Sequence, residues 1–153
     1  MNITFLYRTI ARRVILAALI STGILFSTSC REEKQPPTQM QTVMAVHDSV
    51  MPKMSEIGRL VAELKPLADS TSEGLVYRKA MEDLQAAHTS MMDWMQGFGE
   101  RFDYGEIMEG KELSQQKQTW LEEEEVKVKE MAEQVKSSIT QARELLESGK
   151  EGN

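Results

Sequence analysis

The chain has 153 residues, a formal net charge of −6 and a single cysteine, Cys30. One unpaired thiol excludes a disulfide scaffold and a thiolate zinc site. The acidic balance, with no clustered basic face, excludes a nucleic-acid partner.

In chain order, the first element is an export signal spanning residues 1–29. Arg8, Arg12 and Arg13 form a basic region, Val14 to Phe26 an apolar run too short to cross a bilayer comfortably, and Ser27, Thr28 and Ser29 a small-residue approach to Cys30. This order resembles the lipobox of lipoprotein signal peptidase II, with Ser27 standing where that family prefers Leu. The resemblance implies cleavage before Cys30, lipidation of Cys30 and a membrane partner reached through the lipid anchor. An acylated Cys30 leaves no thiol for metal binding or nucleophilic attack. Cleavage removes three basic residues and no acidic ones, so the mature chain carries a formal charge of −9. Arg31, Glu32 and Glu33 resemble the acidic signal that takes some lipoproteins to the cell surface, and position 31 is not the Asp that retains lipoproteins in the inner membrane. The expected location is the outer membrane of the cell envelope, on its periplasmic or surface side.

Residues 30–38, with Pro36 and Pro37, read as the lipidated cysteine and a polar tether, 39–149 as one small helical domain, and 150–153 as a tail. Helical periodicity starts near Met40, and the first helix is expected to run to about Lys65 with a kink at Pro52, where the ring meets the carbonyl of Asp48. Pro66 ends it. Ser70 to Glu73 fits a capping box for a second helix, and Gly97 suits its C-terminal cap. Phe98 to Leu113 is a long connection with one helical turn near Tyr104 to Met108. The third helix is predicted from Ser114 to Ser148. It places Leu121, Val128, Ala132, Val135, Ile139, Ala142 and Leu146 on one heptad stripe, with pairs Glu123/Lys127 and Glu125/Lys129 outside and Glu122 to Glu125 as a solvated face. The fold class expected is all-α, an antiparallel helical hairpin plus a long third helix in a three-helix bundle. Trp94 and Trp120 are expected to pack together across the connection.

Eight of the 11 methionines and both histidines lie between Met40 and Met95. Met40, Met44, His47, Met51 and Met54 recur at helical steps, as do Met81, Leu84, His88, Met91 and Met95. In an antiparallel hairpin, level positions have a constant sum, here about 135 from the turn between Pro66 and Ser70. On that register Met40 faces Met95, Met44 faces Met91, His47 faces His88 and Met54 faces Met81. Thioether and neutral imidazole form a soft ligand set suited to Cu(I), and thioethers survive an oxidising compartment. The candidate ligands are His47 and His88, then Met44, Met51 and Met91, with Met92 behind them, in a storage or transfer role.

Two other readings of the layer stand beside copper. Met is a flexible core filler, and a buried His can be satisfied by Asp48 or Asp93, which makes the layer ordinary core. Haem can be held by facing His or His/Met ligands in bundles, but a narrow hairpin leaves little room for a macrocycle. No catalytic set is available, because the two histidines oppose each other, no thiol is free and no phosphate-cradling glycine loop is present. The second class of function is a membrane-tethered interaction module that binds a protein partner through the acidic third helix or the long connection.

The segments VMAVHDSVMPKM, YRKAMEDLQAAHTSMMDWMQGF and WLEEEEVKVK resemble a group of small bacterial lipoproteins labelled viral A-type inclusion protein. The resemblance spans most of the mature chain and implies a helical lipoprotein. Its label implies no chemistry, and it supplies no functional residues to carry over.

Overall fold

The computed structural model describes residues 36–151, which are all-α, with no strand among them. The export signal, Cys30 and the Arg31–Glu33 segment lie outside the described residues. The compact unit that begins at Pro37 holds the hydrophobic core of the described residues. None of the described helices is long and apolar enough to cross a membrane.

Helix α1 (Gln39–Val50) opens on a reciprocal cap. The Gln41 amide donates to Thr38 Oγ1 at 3.2 Å and the Thr38 amide donates to Gln41 Oε1 at 2.9 Å, so two otherwise orphaned donors are satisfied. Pro52 then interrupts the arm as its missing N–H requires, producing a 3-10 turn (Met51–Lys53) before α2 (Met54–Leu64). The expected single helix is therefore two, and a second 3-10 turn carrying Pro66 (Lys65–Leu67) ends the arm.

Helix α3 (Ser72–Arg101) is capped by Thr71, not by Ser70 as the capping-box spacing suggested. The Gly74 amide donates to Thr71 Oγ1 at 3.0 Å, and Asp69 Oδ1 in turn accepts from the Thr71 amide at 2.8 Å. Those bonds from the Thr71 hydroxyl and amide hold the Asp69 carboxyl below its ordinary range. The loop closes so tightly on the helix that a Cβ at Gly74 would lie 2.7 Å from the Asp69 amide nitrogen. Only glycine fits there.

Gly97 does not end α3, which continues to Arg101. Trp94, Phe98 and Phe102 recur every fourth residue and are all buried, and this burial outweighs the helix-breaking tendency of Gly97 and Gly99. A Cβ at Gly97 would meet nothing within 4 Å. Gly97→Ala is accordingly expected to raise the unfolding free energy by about 0.5–1 kcal/mol in urea denaturation; a destabilised variant would show that the glycine is needed for more than its helical place.

The connection is built, not loose. Helix α4 (Tyr104–Met108) has its own capping box: the Glu106 amide donates to Asp103 Oδ1 at 3.0 Å and the Asp103 amide donates to Glu106 Oε2 at 2.8 Å. Gly110, at φ 72°, takes the left-handed turn, after which the Lys111 amide donates back to the Gly105 carbonyl. Lys117 reaches from the next helix to the buried Glu106 carboxylate at 2.6 Å and holds it below its ordinary range.

Helix α5 (Gln115–Glu151) carries on past Gly149, beyond the end expected at Ser148. Every member of its predicted stripe, from Leu121 to Leu146, is buried. The acidic run divides, because Glu124 is buried while Glu122 and Glu123 face solvent. Glu124 pairs with Arg101 and Lys127, Glu123 pairs with Arg101 instead of Lys127, and Glu125 pairs with Lys129 as expected. Helix α5 packs against α1, α2 and α3, and α2 also packs against α3. Gln39 reaches Glu125, and Glu56 forms an ion pair with Arg143, tying the first arm to one flank of α5.

Candidate functional site

The seam that the first arm presents to the core is Val43, Val50 and Ile57, seven residues apart and fully or almost fully buried. The Met/His stripe runs beside that seam, and its members separate. Met40 is buried and Met44 and Met54 are half-buried against the core, whereas Met51 is 43% exposed. On α3 the buried line runs Tyr77, Leu84, Ala87, Met91, Trp94 and Phe98. Met91 lies within it, while His88 is exposed and Met92 is 47% exposed. Of the six candidate ligands, His47, Met44 and Met91 are on inward faces, and His88, Met51 and Met92 are on outward ones.

His47 meets Trp94 instead of His88. The two rings stack with centroids 5.4 Å apart and planes 28° from parallel. The numbers of this pair add to 141, six more than the level register of about 135. The turn itself lies later than expected, between Leu67 and Ser72, which moves the level sum to 139; the rest follows from helical side chains leaning toward their own N-terminus, in opposite directions along the axis in an antiparallel pair, by about one position each.

From His47 the stack continues through Trp94 to Phe98 and on to Phe102, with centroid separations of 4.8 Å at both further steps. Lys117 lies over Phe102, and Arg101 lies over Trp120 at 5.4 Å. The aromatic partners of Trp94 are thus His47 and Phe98, and Trp120 is covered by a guanidinium, which replaces the expected tryptophan pair. The four-residue spacing of Trp94, Phe98 and Phe102 was the signal for this ladder, obscured by the two glycines between them.

The side chain of His47 is only 12% exposed, and its Nδ1 lies 2.9 Å from Asp48 Oδ1. Its Nε2 is buried and has no hydrogen-bonding partner among the described residues; the same is true of the Trp94 indole nitrogen. A third such atom, Glu56 Oε1, faces the Arg143 guanidinium and is compensated by charge. Two neighbouring rings therefore each keep an unmatched polar atom inside the domain, an arrangement that costs about 1–3 kcal/mol per group unless something meets it. A carboxylate on Nδ1 selects the tautomer protonated there and leaves the Nε2 lone pair free, which is how metal-ligating histidines are oriented.

Among the described residues, no group of three or more His, Cys, Asp or Glu side chains is placed to hold a metal ion, so any metal site would depend on thioether sulfur. Met44 stands three residues from His47 on α1 and Met91 three residues from Trp94 on α3, spacings that put each on the helical face carrying its ring. No protein-family model, no curated protein and no solved structure matches the chain.

Proposed function

We propose that the chain is a cell-envelope lipoprotein, cleaved before Cys30 and anchored in the outer membrane by lipid on that residue. Its domain, with α1 and α2 counted as one broken helix, is read as a three-helix bundle that binds Cu(I) for storage or transfer and catalyses no reaction. The observation that carries the metal reading is the buried Nε2 of His47, unpartnered while Asp48 holds the opposite ring nitrogen. A neutral imidazole with the thioethers of Met44 and Met91 is a soft set that favours Cu(I) over harder divalent ions. In this reading His88, Met51 and Met92 lie outside the primary site, where exposed sulfur and imidazole suit capture and hand-over of the ion.

The test is an anaerobic titration of residues 31–153 with Cu(I) against a chromogenic chelator. One equivalent of Cu(I) withdrawn from the chelator is the expected result, and no withdrawal removes the copper reading.

The second reading, a membrane-tethered interaction module, is favoured by a different observation: the side of the α3–α5 pair away from the first arm is open. Leu75 and Val76 there are 50% and 52% exposed beside Leu145.

A further inference from the structure

Three hollows follow one another along the seam between α3 and α5, and none is lined by any residue of the first arm. The first, about 690 Å³, has an apolar floor of Leu75, Val76, Ala80 and Leu145. The second, about 220 Å³, is lined by Ser137 and Ser138, small side chains that permit close backbone approach. The third, about 410 Å³, is lined by Trp94 and Met131 beneath Asp93 and Glu130. Asp83 and Gln141 border both the first and second hollows, and Gln134 borders both the second and third. They form one groove, about 36 Å long from Glu124 to Ser148 at the helical rise.

The charges of this groove are one-sided. Lys79 is already paired with Asp83, and Lys127 with Glu124. Asp93, Glu130 and Glu144 have no ion-pair partner among the described residues. Glu130 and Glu144 are 14 positions apart on α5, about 21 Å at the helical rise. A second copy laid in the groove would oppose free carboxylates to free carboxylates, and an anionic membrane surface would meet the same repulsion.

We infer that this groove receives a basic amphipathic helix of a partner protein, which would lie along the seam as an added helix. Its apolar stripe would cover Leu75, Val76 and Leu145 at one end and lie over the edges of the largely buried Trp94 and Met131 at the other, with cations about four turns apart meeting Glu144 and the Asp93/Glu130 pair. The inference deepens the interaction reading and is independent of copper.

The probe is a fluorescent 24-residue Leu/Ala/Lys helix with its lysines spaced to match, compared with the same peptide carrying Glu for Lys, in anisotropy titrations with residues 31–153. The Lys peptide is expected to bind and the Glu peptide not to bind. Asp93→Asn/Glu130→Gln/Glu144→Gln weakens binding about tenfold at low salt and little at high salt. Leu75→Ser/Leu145→Ser weakens it about tenfold at either. Glu109→Gln/Glu112→Gln, changed off the groove, leaves it unaltered. Circular dichroism melts establish that each variant keeps its fold. No binding of the Lys peptide, or binding insensitive to both groove variants, overturns the inference. Concentration-dependent dimerisation abolished by Leu75→Ser/Leu145→Ser also overturns it, by making the occupant a second copy, while leaving the interaction reading intact.

Discussion

Trp94→Ala is expected to lower the unfolding free energy by about 3–5 kcal/mol, read from urea denaturation followed by circular dichroism. The ring is buried between His47 of α1 and Phe98 of its own helix, so its removal opens a cavity and breaks the stack joining the first arm to α3. A domain of this size has roughly 5–15 kcal/mol in all, and the loss would leave it marginal. Trp94→Phe keeps an aromatic face against His47 and costs less. Trp120→Ala also costs less, because that ring is half-buried and has a guanidinium, not a second ring, over it. A loss below about 1 kcal/mol for Trp94→Ala would mean that the first arm is held without the ladder.

The second large effect lies at Glu124. Its side chain is 3% exposed and is compensated by Arg101 at 3.1 Å and Lys127 at 2.8 Å, both of which reach solvent. Arg101→Ala with Lys127→Ala leaves a buried carboxylate without a cation and is expected to cost about 3–5 kcal/mol. Adding Glu124→Met removes the charge and restores most of that loss, since the site then only has to pack an apolar side chain. A triple variant no more stable than the double would show that the two cations act through other contacts, such as Arg101 on Glu123 and Trp120.

The parts of the fold legible in the sequence are those set by strong local chemistry. Pro52 and Pro66 mark the two breaks of the first arm because proline lacks a donor whatever surrounds it. The α5 stripe is legible because seven apolar residues hold a heptad spacing, and the turn at Tyr104–Met108 falls where it was expected. What tertiary packing decides is less visible. The helix runs through Gly97 because the rings around it are buried. Glu124 reads as one of four solvated acids, yet it sits three residues after Leu121 and four before Val128, which places it on the flank of the stripe.

The Met/His layer was half legible. On the first arm the methionine and histidine stripe runs alongside Val43, Val50 and Ile57, whose stiff β-branched side chains take the seam itself, whereas on α3 Leu84 and Met91 share the buried line with Ala87 and Trp94. The later turn, between Leu67 and Ser72, together with the lean of helical side chains places His47 against Trp94 and not His88. Of the six candidate ligands, one imidazole and two thioethers face inward, and the other imidazole and two further thioethers face out.

The measurement that bears most directly on the proposed function is the Cu(I) competition titration repeated with His47→Ala and His88→Ala separately. His47→Ala is expected to lose most of the affinity, about 100-fold or more as for a principal ligand, while His88→Ala binds nearly as tightly as the unaltered chain. Equal affinity in the unaltered chain and His47→Ala, or loss in His88→Ala alone, would contradict it.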